Sequence, residues 1–329
     1  MPRSHTSTDT RTGRHIAAIG DVHGHLQLAL AVAALWQQEQ QVELDAVFLC
    51  GDVGCFTDEA QLDAATRRHA RSNPIELEFL TQWSATPPAP WLRHIFLPAE
   101  LGGLGLRCPV VFVHGNHEGF EALDDFAARP IPPATVPVAE LPAVDTLGRI
   151  QYLPSGWVTE LASGITVSGV GGIDPSQRPG PRYHPLAHIS TRAVESLLHR
   201  ASPVDIFLSH QGPAATQGDG HGSPVLDDLA ELPVARLWFH GHSVLKKDIR
   251  RVGLAGYTQV VPLGGIDFPI SGAEQDRPGR EGWAWATLEG TNASVDRRAP
   301  PWLGGFNRQH WVTAQDGLLV CPPLAGAVA

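Results

Sequence analysis

The chain is 329 residues long, enough for one large layered domain with a substantial core and not so long that a second domain is required. Its formal charge of −10 excludes a broad duplex-DNA footprint, which clustered Lys and Arg would have to supply, and leaves room only for a local basic pocket. Its four cysteines (Cys50, Cys55, Cys108 and Cys321) contain no Cys-x-x-Cys pair, which argues against a structural zinc site or a disulfide framework and points to reduced, buried thiols.

Residues 1–14 are polar, carry Arg3, Arg11 and Arg14, and lead into no apolar secretory region, so they read as a flexible tail. The apolar run 15–20 reads as a buried strand, and 26–41, rich in Leu, Ala and Gln at helical spacing, as a crossover helix to a second strand at 46–51. Within that helix, residues 26–36 form the longest apolar stretch, short of the roughly 20 residues that cross a bilayer. A cytoplasmic location without a membrane span is therefore expected. Residues 56–108 break the strand–helix pattern with helices near 61–71 and 74–83 and a Pro-rich 87–90, and read as an insertion capping a site. Further buried strands are expected at 110–115, 165–170, 205–209 and 236–240, with surface loops at 129–142 and 172–185. Strand candidates at 259–263 and 282–288 are expected to complete a second sheet.

The chemistry is concentrated where these runs end. Gly20-Asp21-Val22-His23-Gly24 follows the first strand, Gly51-Asp52-Val53-Gly54 the second, and Gly115-Asn116-His117-Glu118 the third. Ser209-His210 and His240-Gly241-His242 close two later strands. Layered α/β proteins bind ligands outside the carboxyl ends of their strands, so these turns predict one shared site. Oxygen and imidazole donors without thiolate suit Mn or Fe, with Zn also compatible, and two such ions about 3.5–4 Å apart clamp a phosphate and activate water. A lone buried histidine is ordinarily structural, and His114, His188 and His221 are read that way. Gly169-Val170-Gly171-Gly172 lacks the spacing of a dinucleotide loop, and the dispersed tryptophans read as core.

Taken together, Gly-Asp-Val-His-Gly, Gly-Asp-Val-Gly, Gly-Asn-His-Glu, Ser-His and Gly-His, in this order, resemble the signature of the calcineurin-like metallophosphoesterases. The resemblance implies a two-sheet β-sandwich flanked by helices, a four-layer α/β/β/α fold. It would occupy residues 15–298, with 56–108 inserted near the site and 299–329 as an extension. It also implies two divalent ions: Asp21 and His23 on the first, Asp52 bridging, and Asn116, His210 and His242 on the second. His117 would contact the substrate phosphate and protonate the leaving oxygen. Many members end in Gly-His-x-His, but here the run is Gly241-His242-Ser243-Val244, so a valine stands where the last ligand of the first ion is expected. An open first position is favoured over substitution by His240, which reads better as a residue orienting a ligand.

Segments 205–210, 115–118, Arg182-Tyr183-His184 and Trp238-Phe239 are further similar to RNA lariat debranching enzymes. That likeness favours a phosphodiesterase acting on a phosphorylated small molecule or a nucleotide or RNA-type substrate. Arg178, Arg182 and His184 are the expected phosphate contacts. Two alternatives stay open. One is a serine/threonine protein phosphatase or other phosphomonoesterase, although Val53-Gly54 follows Asp52 where the protein phosphatases have Asp-Arg-Gly. The other is a metal-binding regulatory protein of the same fold.

Overall fold

The computed structural model describes residues 13–81, 88, 90–177, 183–200, 202–218, 220–242, 248–268 and 277–307. The first sheet is built from β1 (Arg14–Ile19), β2 (Leu44–Leu49), β3 (Val110–Phe112) and β5 (Ile150–Tyr152), which run parallel. The antiparallel strands β12 (Trp283–Glu289) and β13 (Asn292–Asp296) extend it beyond β1. The second sheet has the order β10 (Arg250–Val252), β11 (Thr258–Pro262), β9 (Ala235–His240), β8 (Val204–Ser209), β7 (Thr166–Val170), β6 (Val158–Glu160) and β4 (Val136–Pro137). Its central strands β11, β9, β8 and β7 are parallel.

Alternation along the strands makes the layers. Ile16 and Ala18 of β1, Ala46 and Phe48 of β2 and Val111 of β3 meet Val167, Ile206, Leu208, Leu237, Phe239 and Val261 in a core between the sheets. Their neighbours Ala17, Ile19, Val47, Leu49 and Phe112 face outward onto α1 (Leu26–Gln40) and α3 (Pro90–Phe96). On the far side, Phe207 and Trp238 pack against α5 (Thr191–Leu198) and α7 (Asp227–Glu231). Strands buried on both faces need apolar side chains at every position, which is why they read as continuous runs. The four-layer α/β/β/α arrangement is the expected one.

Several local expectations are corrected. The inserted helix near 61–71 begins only at Ala64, as α2 (Ala64–Ala70), because the Asp63 side chain caps the amides of Ala65 and Thr66. In place of a helix at 74–83 there are two 3-10 turns, Pro74–Leu77 and Phe79–Thr81, and residues 82–83 lie outside the described residues. Tertiary contacts set this geometry: Asn73 hydrogen-bonds His25, and the Gln27 amide donates to Glu78 at the start of α1. Pro90 stands at the first position of α3, where the missing N–H has no helical partner to lose. The region 129–142 contains β4 rather than loop alone. Of the C-terminal candidates, β11 joins the second sheet, but β12 returns to the first beside β1. The remaining α-helices among the described residues are α4 (Phe120–Ala127) and the one-turn α6 (Ala214–Gln217). No helix among the described residues is long and apolar enough to cross a membrane.

Candidate metal centre

The loops after β1, β2, β3, β8 and β9 meet at one edge of the two sheets. Two groups of donor atoms converge there: Asp21, His23 and Asp52 in one, Asp52, His210 and His242 in the other, with Asp52 common to both. Asp52 Oδ1 accepts the amides of Asn116 and His117, each at 2.8 Å, and lies 3.5 Å from His210 Nε2. Asp52 Oδ2 is 3.7 Å from His23 Nε2. Asn116 Oδ1 is 3.1 Å from His210 Nε2. The His242 amide donates to Asp21 Oδ1 at 2.7 Å, and the His242 ring lies 4.9 Å from that of His210. All six expected metal ligands are thus brought together.

Local backbone strain aims them. His23, Asp52 and His242 have φ of 45°, 46° and 60°, in the left-handed region that costs a non-glycine residue about 1–3 kcal/mol when tertiary structure enforces it. Gly115 is required for a different reason, since a Cβ there would overlap the Asp52 carboxylate. Glu118 holds two of the turns together. Its carboxylate accepts the amides of Val53 and Gly54 at 2.8 Å, Cys55 at 3.0 Å and Gly115 at 3.1 Å. Replacing Glu118 with Ala strands four buried donors at about 1–3 kcal/mol each before water compensates. We expect a loss of at least about 3 kcal/mol in denaturant unfolding, with Glu118→Gln milder because one acceptor oxygen remains.

The electrostatics fit a cation. His210 Nδ1 lies 2.9 Å from the Cys50 carbonyl, which can only accept, so Nδ1 carries a proton and Nε2 is the ring nitrogen turned toward the site. Nε2 faces the oxygens of Asn116 and Asp52. Burial pushes Asp21 up to about 6, helped by the Asp52 charge and opposed by His210 and His23. Burial works the same way on Asp52, but the surrounding His210, His117, His23 and His242 hold it well below the carboxylate range. For His23, burial would lower the imidazole, yet Asp52, Asp21, Glu76 and Asp267 raise it to about 9. Such a set releases protons when a divalent ion binds.

His240 belongs to neither donor group. Its ring is fully buried, with Nε2 3.5 Å from Gln217 Nε2. Ser243 and Val244 lie outside the described residues, as do Arg178 and Arg182. His184 stacks on Phe120, with ring centroids 5.0 Å apart, and pairs with Asp124 at 3.5 Å. It lines a cavity of about 630 Å³ with Asn116, His117, Asp63, Arg68 and Tyr183. Three residues went unnoticed in the sequence: Asp63, Arg68 and Glu76. Asp63 Oδ2 is 2.9 Å from His117 Nδ1. Before a helix, Asp63 signals only a cap, and nothing local ties it to a histidine 54 positions away.

Two mixed sheets between helical layers bring oxygen and imidazole donors together at the strand ends, a donor set suited to divalent cations. Residues 14–245 match the family model of the calcineurin-like phosphoesterases, and the chain belongs to that family. It is 24% identical over 267 residues to the lariat debranching enzyme of Gallus gallus and 24% identical over 265 residues to that of Homo sapiens. Each alignment takes in 70% of this chain and 42% of the relative, so the chain spans less than half the length of these curated relatives. A Thermus thermophilus protein of solved structure is 15% identical with a TM-score of 0.46, covering 88% of this chain and 100% of that one.

Proposed function

We propose that the chain is a dinuclear phosphodiesterase in which His117 protonates the leaving alcohol. The observation that carries this reading is the sharing of Asp52 by two donor groups, with His117 directly beside them. Asp21, His23 and Asp52 would hold one ion, and Asp52, Asn116, His210 and His242 the other. Bound divalent ions supply Lewis acidity toward a phosphoryl group and lower the pKa of water. The donor chemistry favours Mn or Fe, with Zn as a further choice.

The chain's own residues do the proton work. Burial would lower the His117 imidazole, but the hydrogen bond to Asp63 and the charge of Asp52 outweigh it and raise His117 above its ordinary value. Asp63 engages Nδ1, which leaves Nε2–H as the proton for the departing oxygen. The acid form is the active one, so turnover falls as pH rises through the raised pKa of His117. Removing the Asp63 charge lowers that pKa, and we expect Asp63→Asn to move the alkaline limb of the kcat profile to lower pH. An unmoved limb would take Asp63 out of this role.

The cavity on the His117 side suits the leaving group, with Arg68 and the exposed Tyr183 on its wall and His184 stacked beneath. Together with Arg178 and Arg182, His184 remains our choice for substrate phosphate contacts. The preference for diesters rests on the likeness to the debranching enzymes and extends to nucleotide or RNA-type substrates without specifying a lariat. The buried thiols of Cys50, Cys55 and Cys108, free of disulfides, fit a reducing cytoplasm. The test is turnover of aryl diesters against aryl monoesters with Mn, Fe and Zn. Faster diester hydrolysis is expected, and much faster monoester hydrolysis overturns the preference.

A further inference from the structure

The two metal positions are unequally furnished. Asp52, Asn116, His210 and His242 surround one, whereas Asp21, His23 and Asp52 alone form the other. The valine at position 244 offers no donor atom by its chemistry. The inserted segment reaches this poorer position. Asn73 Nδ2 is 3.0 Å from His25 Nε2, the Gln27 amide donates to Glu78 Oε1 at 3.0 Å, and a Cβ at Gly24 would overlap the Glu76 carbonyl. These contacts clamp residues 73–78 onto the turn that carries Asp21 and His23.

Glu76 is the carboxylate this clamp delivers. It is only 4% exposed, and no hydrogen-bond donor among the described residues reaches its side chain. Burial raises its carboxyl to about 7, and its charge couples to those of His23, Asp267, His117 and Asp52. A buried carboxylate without a donor is costly unless a cation compensates it. Glu76 stands outside the tight Asp21, His23 and Asp52 group and forms no ion pair with His23 within the contact range that His23 shares with Asp52.

We propose that Glu76 is a positioning carboxylate for the first metal ion, presented by the inserted segment to the side that Asp21, His23 and Asp52 leave open and acting from just beyond those ligands. This rests on the reading that those three residues hold an ion. Carboxylates just beyond the ligands tune metal affinity by about 10–100-fold. Glu76 thereby offsets the missing last ligand with charge, and it ties the insertion to metal loading.

The test uses the full chain, with Mn titrated calorimetrically into wild type, Glu76→Gln, Glu76→Asp and Asp267→Asn, and with melting of metal-free and Mn-loaded protein. For Glu76→Gln we expect one of two uptake steps to weaken about 10–100-fold while the other holds. Glu76→Asp, which keeps the charge, should retain most of the affinity. Metal-free Glu76→Gln should melt no lower than wild type, since burial already raises the Glu76 carboxyl to about 7 and little charge is lost near neutral pH, whereas its gain in Tm on adding Mn should shrink. Two unchanged uptake steps in Glu76→Gln, or a lower metal-free Tm with unchanged uptake, overturn the proposal and leave the two-ion reading standing. The same loss in Asp267→Asn with none in Glu76→Gln assigns the task to Asp267 and overturns it too. Uptake of a single ion by the wild type overturns the two-ion reading and this proposal together.

Discussion

Asp52→Asn should remove more than any other single substitution. The amide is nearly isosteric and keeps an acceptor for the Asn116 and His117 amides, so the turn should survive. What is lost is the one negative charge common to both donor groups and faced by His210, His117, His23 and His242. Even partners beyond the ligands are worth about 10–100-fold in metal affinity or activity. A shared ligand should therefore cost more than about 10³-fold in kcat/KM, because it weakens both positions and the clamp on the phosphoryl group at once. Elemental analysis after Mn loading should show both positions depleted. Full loading of two ions in Asp52→Asn would remove its bridging assignment.

His117→Asn should separate chemistry from metal binding. His117 belongs to neither donor group, so Mn uptake should match wild type. The loss of a positioned general acid should lower kcat by about 10²–10⁴-fold on diesters whose leaving group is an alkyl alcohol. On p-nitrophenyl esters, whose leaving oxygen departs without a proton, the loss should be much smaller. An equal loss on both kinds of ester would mean that His117 binds the phosphate without protonating the leaving group.

The insertion changes what a variant of this protein would do. Segment 56–108 reads in sequence as an insertion capping the site, and it reaches the candidate metal centre through Asp63 at His117 and through Glu76, whose backbone packs against Gly24 beside His23. Substitutions at Asn73 or Glu78 should therefore alter metal loading by loosening the clamp on His25 and Gln27.

The fold and the six central donors were legible because each strand is buried on both faces and stops at a short motif. Leu49 to Asp52 and Phe112 to Asn116 pass from core to donor within four residues, so local sequence states both the element and the chemistry at its end. The shorter strands β5 and β6, three residues each, carry too little pattern to be seen, and their register comes from the neighbours they pair with. The destination of β12 was equally hidden, because an alternating apolar strand fits either sheet and only packing beside β1 chooses.

Sequence alone therefore determined the layered fold, the family and the set of donors, since local burial and ordered motifs encode them. Tertiary structure decided which residue partners which. It set Asp63 against His117, turned His210 Nε2 toward Asn116 and Asp52 by tying Nδ1 to the Cys50 carbonyl, buried His240 away from the donors, and brought Glu76 against Gly24 beside His23. Those relations join residues tens to hundreds of positions apart, and only packing brings such groups within the few ångströms at which charge and hydrogen bonds act.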